Sequence, residues 1–121
     1  MDVARLVICL DDLVLNFEDI DGYIFVRRRD ENIDQITAKI ATYTSKKEAQ
    51  SWINIVLIDS FIDEVTVDDW SFEDPSIGDL LSIYERSWAT QIMACHRGIE
   101  FKIERIIDPE LGDLGLRLIQ D

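Results

Sequence analysis

The chain has one histidine, His96, and it stands beside one of two cysteines, Cys95. A thiol and an imidazole can act as nucleophile and base. Adjacent helical positions point about 100° apart, so such neighbours do not face each other. Near the end of a helix, His96 reads more simply as a side chain set against the helix dipole. Cys9 and Cys95 both fall in apolar patterns and read as small reduced hydrophobes rather than a disulfide. Two cysteines and one histidine do not make the paired ligand spacing of a zinc site. There is no G-x-S-x-G elbow and no glycine-rich phosphate loop; glycines 22, 78, 98, 112 and 115 are scattered as punctuation.

Carboxylates are the abundant functional group. Acids outnumber bases 25 to 12, for a net charge of -13. Asp59 and Asp63 stand four apart on a predicted helix and share a face, with Glu64, Asp68 and Asp69 close behind. Oxygen clusters of this kind can hold Mg²⁺ or Ca²⁺. The spacing matches no loop pattern with its obligatory glycine, and no histidine complements it. The plainer reading is a solvated acidic surface, so neither metal nor cofactor is expected.

The distribution of charge says more than any motif. Residues 48–85 hold ten acids and not one Lys or Arg. A negative surface of this size repels itself, and a basic partner would relieve it. Within it lies Val67-Asp68-Asp69-Trp70-Ser71-Phe72-Glu73-Asp74. Trp is enriched at binding hot spots. The rings either fold back as a lid on the core or stand out as anchors ringed by acids. The candidate partner-binding residues are therefore Asp59, Asp63, Asp68, Asp69, Trp70, Phe72, Glu73 and Asp74. The only basic run, Arg27-Arg28-Arg29, is split between two faces of a strand and suits cross-strand pairing with carboxylates.

The elements that must position these residues follow from pattern. Residues 3–17 fit a helical period, but the rich Val, Ile and Leu content favours strands at Ala4–Leu10 and Leu13–Glu18. Asp19-Ile20-Asp21-Gly22 marks a hairpin turn, and Tyr23 to Arg28 alternates as its second strand. A further strand is predicted over 34–44, which would complete an antiparallel meander; a helix through Ile33, Ile36, Ile40 and Tyr43 is the alternative. Ser45-Lys46-Lys47-Glu48 is a capping box that opens a helix over 46–63. The rival is a shorter helix giving way to a strand near Ile53. A second helix over 76–96 places Ile77, Leu80, Leu81, Tyr84, Trp88, Ile92 and Cys95 on one face. Strands from Ile99 and from Leu114 then form a closing hairpin.

The length, 121 residues, suits one domain. The fold class is α+β: a mostly antiparallel sheet, meander plus C-terminal hairpin, with two helices packed on one face. No run approaches a membrane span. The apolar stretch Leu6–Leu10 stops at Asp11-Asp12 and makes a poor signal peptide, so a cytoplasmic location is expected. The acidic excess disfavours phosphate backbones and anionic membranes and suits a basic protein. The expected function is that of a small non-catalytic inhibitor of a basic partner such as a nuclease toxin. Immunity and antitoxin proteins share this size and acidity, a likeness of type that transfers no residue. The alternatives are a DNA-mimic inhibitor, a carboxylate-metal enzyme, and a subunit kept soluble by its acids.

Overall fold

A computed structural model describes residues 3–66 and 69–121, except the side chains of Arg5, Leu6, Ile8, Cys9, Asp12, Glu64 and Val65. Among the described residues the chain forms five helices and five strands, in an α+β arrangement of antiparallel sheets. Strands β1 (Asn16–Ile20) and β2 (Tyr23–Arg27) form a hairpin. Its turn puts Asp21 at φ 53° and Gly22 at φ 89°, and the Gly22 amide donates to Asp19 Oδ1 at 2.9 Å. Two consecutive positive φ values suit the right-handed twist of a two-residue hairpin loop.

The expected meander is reduced to this hairpin, because helices flank it on both sides. Helix α1 (Val3–Leu13) replaces the strand predicted at Ala4–Leu10. Its last carbonyls need donors, and α5 supplies them: Ser87 Oγ and Gln91 Nε2 each reach Leu13 O at 2.7 Å. Helix α2 (Ile33–Ile40) replaces the strand predicted over 34–44. Asn32 and Gln35 close a reciprocal capping box, and Ile36 and Ile40, one turn apart, are the buried side. The cap outweighs the modest strand preference of Ile and Thr.

Helix α3 (Lys46–Ile53) opens as expected, with Ser45 Oγ accepting from the Glu48 amide. The Glu48 carboxylate turns to Thr44 rather than to the Ser45 amide. The helix ends at Ile53, not 63. Strand β3 (Ile55–Leu57) pairs with β5, and α4 (Asp59–Val65) follows. The alternative with a strand after Ile53 is therefore the observed one. Helix α5 (Pro75–Cys95) begins with Asp74 Oδ1 accepting from the Ser76 amide at 2.9 Å. Its Ile77, Leu81, Tyr84, Trp88 and Ile92 are buried, while Leu80 is half-buried. Strands β4 (Lys102–Asp108) and β5 (Asp113–Ile119) close the three-stranded sheet, in the order β3-β5-β4.

The helices do not all lie on one face. Successive strand residues point to opposite sides, and in β2 all of Ile24, Phe25 and Val26 are buried. Ile24 and Val26 join Phe17, Trp88, Ile92 and the β5 leucines in the main core. Phe17 meets Trp88 edge-on, with ring centroids 5.9 Å apart. Phe25 points the other way, into a second core with Ile36 and Ile40 of α2 and Ala49 and Ile53 of α3.

The outer edge of β2 meets the larger sheet through buried side-chain amides. Asn54 and Gln50 are fully buried. Asn54 Oδ1 accepts from the Val26 amide at 2.8 Å, and its Nδ2 donates to Ile24 O at 2.7 Å and to Leu118 O at 3.1 Å. Gln50 Nε2 donates to Ile24 O and to Gln120 Oε1, and Gln120 Oε1 also accepts from the Ile24 amide at 2.6 Å.

Gly115 sits where β5 crosses β3. A Cβ there would lie 2.1 Å from Val56 O, and backbone cannot retreat as a side chain can. Gly115→Ala is expected to cost about 3 kcal/mol or more, the upper range for overpacking. A urea titration checks this.

Candidate functional site

The acidic connection is held at both ends. At the start of α4, Asp59 Oδ1 accepts from the Leu114 amide at 3.2 Å, and the Ile58 amide donates to Leu114 O at 2.7 Å. Asp59 thus ties α4 to β5 and is not a free carboxylate. Asp63, one turn on, accepts from Trp70 Nε1 at 2.5 Å. At the far end, Asp74 caps α5. The Asp74 amide returns to Ser71 O at 3.0 Å, and the Glu73 amide to Ser71 Oγ at 3.2 Å.

Trp70 and Phe72 are half-buried and pack against the main core. Their centroids are 4.7 Å apart, with rings tilted by 48°. Of the two roles open to them, the structure shows the lid. Among the predicted site residues, Asp69, Glu73, Asp63 and Asp74 are exposed. Asp68 lies outside the described residues. Among the described residues no three His, Cys, Asp or Glu side chains group as metal ligands.

Some of the acids are neutralised within the fold. Asp11, Glu18, Asp21, Glu31, Glu85 and Glu104 each pair with an Arg or Lys. Among the described residues, no cation pairs with Asp59, Asp63, Asp69, Glu73, Asp74 or Asp79. Arg105, the base that approaches α5, is taken by Glu85 at 2.5 Å and by Ser82 Oγ at 2.9 Å.

The basic run divides as its alternation implies. Arg27 Nε reaches Glu18 across the hairpin at 2.7 Å, and Arg29 pairs with Asp11 at 3.2 Å. Arg28 donates to Ile55 O at 2.9 Å, and its amide donates to Glu31. His96 Nε2 donates to Phe17 O at 2.6 Å and so pins β1 to the end of α5. Cys95 is exposed, not the buried hydrophobe its pattern suggested; it continues the buried face of α5 but stands in the last turn, one residue before the His96 C-cap. The Cys9 side chain lies outside the described residues. Trp52, in the last turn of α3, is 57% exposed. It is the exposed tryptophan of the acidic interval, where the run of acids around Trp70 points to that residue instead. Because α3 ends at Ile53, no apolar helical stripe continues past Trp52.

With this geometry in view, comparison with family models, curated proteins and solved structures gives no match to the chain.

Glu31 links the hairpin to α2. Burial pushes its pKa up, but the Lys39 hydrogen bond, the Arg28 amide and both positive charges outweigh burial and hold it below the usual 4.5. A carboxyl lowered in the folded state adds stability above its unfolded pKa and loses it as pH falls through the folded value. The stability gap between wild type and Glu31→Gln should be full at neutral pH and close as pH drops below about 4.5. Denaturant titrations across that range measure it.

Proposed function

We propose that this chain is a non-catalytic inhibitor, of the immunity or antitoxin kind, that sets its acidic α4–α5 connection into a basic cleft on a partner protein such as a nuclease toxin. The observation that supports this reading is that residues 48–85 hold ten acids and no Lys or Arg, and that among the described residues Asp63, Asp69, Glu73, Asp74 and Asp79 have no paired cation.

Opposite charge steers encounter and raises association rates by roughly one to three orders of magnitude. The frame beneath the charges adds a second effect. Trp70 and Phe72 rest on the core and Asp63 and Asp74 are hydrogen-bonded, which lowers the ordering cost of binding at these residues. Among the described residues of the connection, Asp69 and Glu73 are the exposed carboxylates with no structural bond of their own. Trp70 supports the surface from below and contributes its uncovered edge.

The experiment is a kinetic one. A partner captured from the native host at low salt is immobilised, and association is followed over a salt series. Asp69→Asn with Glu73→Gln should slow association several-fold at low salt and flatten its salt dependence, with dissociation nearly unchanged. A partner that binds this variant as fast as wild type would remove the acidic connection from the interface.

A further inference from the structure

Strand β4 lies at the edge of its sheet, with β5 on one side and no strand on the other. The Ile58 amide donates to Leu114 O and the Leu118 amide to Asn54 O, so Leu114, Leu116 and Leu118 turn their backbone groups toward β3. By alternation Asp113, Gly115, Arg117 and Ile119 turn theirs toward β4, where the register assigns them Asp108, Ile106, Glu104 and Lys102. The amides and carbonyls of Ile103, Arg105 and Ile107 therefore point away from the sheet. Among the described residues, nothing bonds to them.

Such an edge is a template for another strand, and proteins blunt it with a bulge, a proline, a short strand or an outward charge. Strand β4 has seven residues in unbroken register with β5 and no proline. Its central Arg105 is drawn back onto α5 by Glu85 and Ser82. Ile107 is 50% exposed, and Ile103 and Ile106 are half-buried. At the two ends, Lys102 and Asp108 have no ion-pair partner among the described residues; Asp108 Oδ1 accepts from the Leu111 amide at 3.3 Å.

The order of residues along the strand says what fits it. A second β4, laid antiparallel about a two-fold axis at Arg105, pairs the strand over its whole length. Lys102 then falls opposite the second copy's Asp108 at both ends, so base meets acid twice. Ile103 falls opposite the second copy's Ile107, on the face that carries the β5 leucines. The bonding positions coincide, since Ile103, Arg105 and Ile107 of one copy meet Ile107, Arg105 and Ile103 of the other. The two guanidiniums at the axis each carry their own Glu85. Sliding one strand by two residues sets Glu104 against the second copy's Glu104 in one direction and against its Asp108 in the other, and like charges directly opposite are unfavourable. Charge and hydrogen bonding thus select one register.

We infer that two copies of this chain dimerise by antiparallel pairing of β4, which makes one continuous sheet in the order β3-β5-β4-β4-β5-β3. The pairing uses no residue of the acidic connection and stands independently of the proposed function. The charge of -13 on each copy opposes association at low salt, and screening at physiological ionic strength removes most of that long-range term.

Sedimentation equilibrium and amide hydrogen exchange of the full chain at about 0.15 M salt test it. Wild type should populate a dimer. On dilution to monomer, the Ile103, Arg105 and Ile107 amides should exchange about tenfold faster or more, while those of Glu104 and Ile106, bonded to β5, stay slow. Lys102→Glu sets acid against Asp108 twice and should raise the dissociation constant about tenfold or more. Adding Asp108→Lys should restore dimerisation. Ile107→Pro removes an outward amide that the folded monomer does not use, and should abolish the dimer while circular dichroism shows the fold intact. A chain that is monomeric even at millimolar concentration would overturn the inference and leave the edge to an extended segment of another protein. So would a dimer in which the three outward amides exchange as fast as in the monomer, or in which the charge exchange brings no recovery.

Discussion

The structure depends on how the outer edge of a two-stranded hairpin is satisfied. An unpaired strand edge presents backbone donors and acceptors that must find partners once buried. In β2 those groups belong to Ile24 and Val26, whose side chains lie in the main core. The neighbouring strand is replaced by amide side chains from the end of α3 and from the residue after β5. Asn54 bonds the hairpin on one side and Leu118 on the other, so a single buried residue spans both sheets. Each of these bonds contributes about 1 kcal/mol net, but leaving a buried partner unsatisfied costs more. The geometry is thus enforced chiefly by what its loss would expose.

From that junction the rest of the arrangement follows. Fixing β2 against β5 lets the hairpin bury both its faces, with α5 over Phe17 and α2 and α3 over Phe25. The same β5 accepts α4 through Asp59 and Leu114, and α5 is anchored to β1 through His96. The acidic connection is strung between two helices already placed in this way. Asp63 and Asp74, at its two ends, are themselves bonded into that scaffold.

Much of this was legible in the residues themselves. The Asp21-Gly22 turn, the Ser45 cap, the Asp74-Pro75 start of α5 and its five-residue buried stripe are local signals with local causes. The α+β class follows from them. The helices α1 and α2 were not read as such because Val, Ile and Thr favour strands by propensity. What decides those segments is the Asn32–Gln35 cap in one case and donors seventy-odd positions away in the other. The amide junction was not legible at all. Gln50, Asn54 and Gln120 look like surface polar residues in a sequence, and only the fold brings them together. At the candidate site, the absence of bases across residues 48–85 was plain, and among the described residues Asp63, Asp69, Glu73, Asp74 and Asp79 are left without a paired cation. That Asp59, Asp63 and Asp74 also serve as structural acceptors depends on partners outside any sequence pattern.

Amide hydrogen exchange at Val26 tests the junction most directly. In wild type this amide, though on the outer edge of a two-stranded hairpin, should exchange as slowly as the central amides of β5, through global unfolding. In Asn54→Ala it should exchange faster by at least about two orders of magnitude relative to those same β5 amides, because the hairpin can then open on its own. A Val26 amide that exchanges in wild type at the rate of a solvent-facing edge, or whose rate relative to β5 is unmoved by Asn54→Ala, would contradict the account.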